Sequence, residues 1–152
     1  MSEPKLISPL LDNFAIGEPI SDHHGVRCFP AMKQDSDEKY IVKIISVPAS
    51  QSQLSALLLS GAYPDAEAAD SYFKELSENI VSEITALGQL SETEGFLPYL
   101  GYQVVPMDDG VGYDIYLLSK YCCTLSRSMR YTPMTQLSAL NLALDLCARL
   151  RI

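Results

Sequence analysis

Residues 40–47, Tyr40-Ile-Val-Lys-Ile-Ile-Ser-Val47, form an apolar run rich in β-branched side chains and broken by one ammonium, that of Lys43. The composition of the run predicts a strand. A lysine in a strand usually marks an edge or an outward-facing position. A lysine inside a buried run needs an anionic partner. Downstream, Leu76, Ile80, Glu83, Leu87 and Leu90 recur at spacings of four, three, four and three, which places them on one face of a helix. Four of them are apolar and one is a carboxylate. The strand lysine and the helix glutamate are therefore expected to form an ion pair.

Working outward from this pair, residues 1–13 read as a leader, since Pro4 and Pro9 break any helix. Phe14–Ile20 is a short strand, Ser21-Asp-His-His-Gly25 a turn, and Val26–Met32 a returning strand in which Pro30 suits a sheet edge. After the polar turn 33–38 comes the lysine strand, so the first third reads as an antiparallel meander. Gln53–Ser60 is a short helix ended by Gly61, and Asp65 is placed to cap the helix that carries Glu83. Phe96–Val105 and Tyr113–Ser119 are strands on either side of an Asp109-Gly110 hairpin signal. A short helix over Leu125–Arg130 and a long one from Thr135 to Ile152 close the chain. The last helix is apolar around most of its circumference, which predicts a place in a core.

The 152 residues suffice for one ordinary domain or two small lobes. Eleven Lys and Arg against nineteen Asp and Glu give a net charge of −8, which argues against non-specific binding to nucleic acid or to an anionic membrane. The beginning, Met1-Ser-Glu-Pro-Lys-Leu6, lacks the apolar core of a secretory signal, and no stretch is apolar enough to span a bilayer. A cytoplasmic location, with no nucleic-acid or membrane partner, is the expectation. The four cysteines, Cys28, Cys122, Cys123 and Cys147, include no Cys-x-x-Cys pair, and the two histidines are adjacent. No structural zinc site is expected, and the thiols are read as reduced and buried.

The order strand, turn, strand, lysine strand, glutamate helix, strand, hairpin, strand, short helix, long helix resembles the small lobe and first large-lobe helices of a protein kinase, over roughly residues 12–152. Glu83-Ile-Thr-Ala-Leu-Gly-Gln-Leu90 matches the Glu-x-x-x-Leu-x-x-Leu pattern of the family's regulatory helix. Tyr116-Leu-Leu-Ser-Lys-Tyr-Cys122 is similar to the last small-lobe strand running into the hinge. The resemblance implies an α+β fold with an antiparallel sheet of about five strands and one packed helix. It divides the chain into the leader, a small lobe over 14–121 with an inserted helix at about 51–70, and a hinge with large-lobe helices over 122–152. It implies that Lys43 meets the α and β phosphates of ATP and that Glu83 orients Lys43. Ile20, Cys28 and Ile41 would line the adenine roof, Ser119 would take the gatekeeper place, and the backbone of Lys120 and Cys122 would face the adenine edge. The function implied is that of the nucleotide-binding small lobe of a bacterial-type Ser/Thr kinase or kinase-like protein.

Three departures qualify the expectation. Where the family has Gly-x-Gly-x-x-Gly, Ser21, His23 and Val26 stand, unless a one-residue shift brings Gly25 into the third place. Glycines let backbone N–H groups approach phosphate, and side chains hinder that approach. Ile41 stands two residues before the lysine, where the family usually has alanine, and narrows the roof. The His-Arg-Asp and Asp-Phe-Gly motifs are not among these residues, so no catalytic residue and no metal ligand is assigned, and magnesium belongs only to a longer parent protein. The chain is thus expected to be a fragment cut before the catalytic loop, with weak ATP affinity. The missing large lobe and an unidentified protein are its expected partners, together with a homodimer through Leu140, Leu144 and Cys147 of the last helix. The alternative reading is a pseudokinase-type interaction module with no ATP-dependent chemistry.

Overall fold

The computed structural model describes residues 6–89, 97–108 and 110–149. The elements are β1 (Phe14–Ile16), β2 (Ser21–His23), β3 (Val26–Lys33), β4 (Lys39–Val47), α1 (Gln51–Leu59), α2 (Ala66–Gly88), β5 (Tyr99–Pro106), β6 (Tyr113–Lys120), α3 (Leu125–Tyr131) and α4 (Gln136–Arg149). The strands pair antiparallel in one sheet of order β1-β3-β4-β6-β5, with β2 also on β3. The fold class is α+β. Leu90, Phe96, Asp109 and residues 150–152, which figured in the sequence reading, lie outside the described residues.

β4 is a central strand, with β3 on one side and β6 on the other. Alternate residues face opposite ways. Tyr40, Val42 and Ile44 are buried on one face, against Phe29, Leu118 and Leu11. Leu11 belongs to the stretch read as a leader, yet it is 1% exposed and is part of this core. The edge of the Phe14 ring meets Tyr40 at 5.1 Å between centroids. On the opposite face Ile115 and Leu117 pack with Ile84 of α2. A third cluster joins Val47 and Leu54 to Ala69 and Phe73, where α1 and α2 meet the end of β4. α1 and its connection to α2 are thus seated on that end of the sheet.

The first strand expected over Phe14–Ile20 is split. β1 ends at Ile16, β2 takes Ser21–His23, and the turn tightens onto His24 and Gly25 alone. Pro30 explains the break. β3 is not an edge strand, as Pro30 had suggested, because β4 flanks it on one side and β1 and β2 flank it on the other. The proline has no N–H to donate, and it falls where neither β1 nor β2 pairs with β3. Only its carbonyl is used there, accepting the Gly17 N–H at 2.8 Å.

α2 begins as expected at Asp65, whose carboxylate accepts the Ala68 N–H at 2.8 Å. The apolar circumference of α4, expected to be covered only by a large lobe or a second copy, is uncovered within this chain. Neither α3 nor α4 has a buried residue among those described, and Leu137, Leu140 and Leu144 are 68%, 62% and 67% exposed. No helix among the described residues is long and apolar enough to cross a membrane. The cysteines are free but not buried: Cys122, Cys123 and Cys147 are exposed and Cys28 is half-buried.

Candidate functional site

Strand register gathers four of the residues singled out from sequence. Lys43 lies directly between Cys28 of β3 and Leu117 of β6. Ile41, one pleat along on the same face, lies opposite Ser119. Cys28, Ile41, Lys43 and Ser119 therefore share the sheet face on which α2 packs. Ser119 is buried, and the other three are half-buried. Ile20 stands just before β2, where its N–H donates to the Cys28 carbonyl at 2.8 Å, and its side chain is half-exposed. Lys120, exposed, closes β6 opposite Tyr40, and the Tyr121 N–H donates to the Lys39 carbonyl at 2.9 Å. Cys122 is exposed just beyond this last bond.

The expected ion pair is absent. Glu83 is exposed, and no carboxylate among the described residues lies within 4.0 Å of Lys43. The buried face of α2 runs through Ala69, Phe73, Ser77 and Ile84, with Ile80 beside it. This stripe is rotated from the one read off the leucines. Ser77 is the reason. It counts as polar in a sequence pattern, yet it is 2% exposed and returns its hydroxyl to the Lys74 carbonyl at 2.8 Å. A small side chain satisfied within its own helix can sit at the centre of a packed face, and the apolar stripe passes Glu83 by.

Gly25 is not free to cradle a phosphate. His24 and Gly25 have φ of 50° and 78° and form the two-residue loop between β2 and β3, the conformation of a type I′ hairpin. A Cβ at Gly25 would lie 2.6 Å from that of Ala49. The glycine is spent on closing the turn against the end of β4.

Sequence reasoning missed two polar clusters. Asp70, half-buried in α2, accepts the Gly112 N–H at 3.0 Å and the Tyr113 hydroxyl at 3.2 Å, tying the β5–β6 hairpin to the helix. Its spacing from Asp65 and Glu67 makes it look like one more helix-start carboxylate, so only the fold reveals its partners. Burial, then the adjacent Asp70 carboxylate and its hydrogen bond, raise the Tyr113 phenol above its ordinary value of 10.0. On the other face of the sheet, Asp114 accepts the Ser46 hydroxyl at 2.6 Å and an Arg27 N–H at 3.3 Å. Both clusters hold strands in place: the Asp114 cluster lies on the face opposite Lys43, and Asp70 with Tyr113 lies on the Lys43 face at the Val47 end of β4. Among the described residues, no group of three or more His, Cys, Asp or Glu side chains could hold a metal ion.

No known protein family matches the chain, and no curated protein matches it.

Lys43→Met and Glu83→Gln should act independently. In a double-mutant cycle read by urea denaturation, their effects should add to within about 0.5 kcal/mol; coupling well above that would show a contact that this geometry lacks. The second prediction concerns alkaline pH. A raised tyrosine contributes stability that is complete below the unfolded pKa, near 10, and is lost as pH rises through the folded value. Tyr113→Phe should therefore cost on the order of 1 kcal/mol near pH 8, and its difference from wild type should shrink as pH climbs above about 10. A difference that does not change over that range would contradict the Asp70–Tyr113 bond.

Proposed function

We propose that this chain is the nucleotide-binding small lobe of a protein kinase-like protein of the Ser/Thr type, without phosphotransfer activity of its own. One observation carries the reading. Lys43 is half-buried at the centre of a sheet, on the face shared with Cys28, Ile41 and Ser119, and has no anionic partner among the described residues. A cation held there is stabilised by an anion that comes to it. In this reading Lys43 meets the phosphates of ATP, Cys28 and Ile41 lie over the base with Ile20 at the margin, Ser119 takes the gatekeeper place, and the backbone at Lys120 and Cys122 faces the adenine edge.

The fit to ATP is partial. Lys43 supplies the charge, but Gly25 is committed to its turn against Ala49, and Glu83 points away from the role of orienting Lys43. Affinity is accordingly weak, and magnesium would be held by a large lobe that also covers α3 and α4. The second reading, a pseudokinase-type interaction module, draws on the same two facts. It keeps the scaffold and uses Lys43 for no nucleotide.

Thermal unfolding in about 10 mM ATP separates the two readings. Mass-action stabilisation amounts to about 1.4 kcal/mol when the ligand stands at tenfold its Kd, a rise of a few degrees in midpoint. The proposal expects that rise in the wild type and its loss in Lys43→Met. No rise in the wild type, or an equal rise in Lys43→Met, would favour the interaction module.

A further inference from the structure

We propose that Cys28 is a modification site, at which a low-molecular-weight peptide thiol bearing carboxylates is held as a mixed disulfide, with Lys43 as its anion contact. The proposal shares Lys43 with the nucleotide reading but does not require that a nucleotide binds.

Cys28 of β3 and Lys43 of β4 stand directly opposite one another, and the Cβ atoms of such a pair are about 5 Å apart. The thiol is free and half-buried. α2 rests on β4, β5 and β6, so Cys28 lies on the β3 side of this face, away from the helix. Reactive cysteines are partly exposed and have a cation beside them. The cation here has no carboxylate within 4.0 Å among the described residues, so it is open to one that a reagent carries.

Ser119 is the independent observation. It is 8% exposed, lies on the same face, and its hydroxyl makes no hydrogen bond. Burying a hydroxyl without a partner is unfavourable, and a ligand amide or carboxylate would satisfy it. Neighbouring strands lie about 4.8 Å apart, so Ser119, two strands and one pleat from Cys28, is roughly 12 Å from it across Lys43. A small group on the thiol cannot meet both. A group of tripeptide size, about 10 Å when extended, can leave a carboxylate at Lys43 and bring an amide or a second carboxylate to Ser119.

The step is a thiol–disulfide exchange. The Cys28 thiolate attacks one sulfur of the thiol's symmetrical disulfide, a new S–S bond forms as the old one breaks, and the other half leaves as a thiolate. That thiolate takes up a proton in place of the one Cys28 gave up. The cysteine is oxidised, the reagent is reduced, and no further reactant is needed.

The test treats the full chain with oxidised glutathione or with cystamine, a cationic disulfide, and follows each cysteine by site-resolved mass spectrometry. No nucleotide is present, so the result does not depend on whether ATP binds. The preference for glutathione over cystamine should be at least about fivefold greater at Cys28 than at the exposed Cys147. It should fall to the Cys147 level in Lys43→Met and be kept in Lys43→Arg. In the wild type alone, about 1 M salt should remove most of the preference, since screening then acts over about 3 Å. Ser119→Ala, with an unchanged far-ultraviolet spectrum, should speed the reductive release of glutathione from Cys28 several-fold. A Cys28 that stays unmodified while Cys147 reacts, equal preferences at the two cysteines, a preference that survives in Lys43→Met, or an unchanged release rate in Ser119→Ala would each overturn the proposal.

Discussion

The pairing of β4 with a strand on either side denies Lys43 an edge. At an edge strand a lysine can swing its ammonium into water and serve as a guard against further pairing. Between β3 and β6 it must project from a face, and the alternation that buries Val42 and Ile44 on one side sends Lys43 to the other, the face on which α2 packs. The end of the same strand is clamped. Gly25 abuts Ala49, and Gly112, with φ of 102°, abuts Val47 and Pro48. Asp70 fixes the hairpin that carries Gly112 onto α2. With β4 held along both sides and at its end, Lys43 has no freedom to leave its row.

That constraint gives the absence of a carboxylate its meaning. Breaking a fully buried ion pair costs on the order of 3–5 kcal/mol, because one charge is left uncompensated. Lys43 is only half-buried, so water carries part of that burden and the fold tolerates the charge. What remains is a lysine on a strand held from both sides, sharing its face with half-buried Cys28 and Ile41 and buried Ser119; under the proposed reading this face takes a ligand with an anionic end and an apolar body. Under the proposed nucleotide reading, the commitment of Gly25 to its turn limits how closely backbone N–H groups could hold phosphate oxygens, and affinity would rest mainly on Lys43.

The sheet was largely legible because its signals are local. The alternation in 40–47, the Asp65 cap and the strands on either side of the β5–β6 hairpin were all readable from near neighbours in sequence. What escaped depends on contacts between distant segments. Leu11 looked like part of a tail, since nothing nearby in sequence shows that a sheet face lies over it. Pro30 signalled an edge, whereas it marks a gap in the neighbouring strand. The α2 stripe was misplaced because Ser77 hides its burial behind a polar name, and that one-residue shift turned Glu83 from a partner of Lys43 into an exposed residue. The leucines of the last helix report only that a face can be buried and not what lies against it, and within this chain nothing does. The gathering of Cys28, Ile41, Lys43 and Ser119 followed from register. The exposure of Glu83 and the commitment of Gly25 to its turn did not.

The central claim, that Lys43 is a fixed cation awaiting an anion, is tested most directly by following the lysine side-chain resonances of the isotopically labelled protein during titration with ATP, and with pyrophosphate as the anion alone. The account predicts that the Lys43 signal moves selectively and saturably, while those of the exposed Lys33, Lys39, Lys74 and Lys120 stay in place. A Lys43 signal that does not move at about 10 mM ligand, or that moves only in step with the surface lysines, would contradict it.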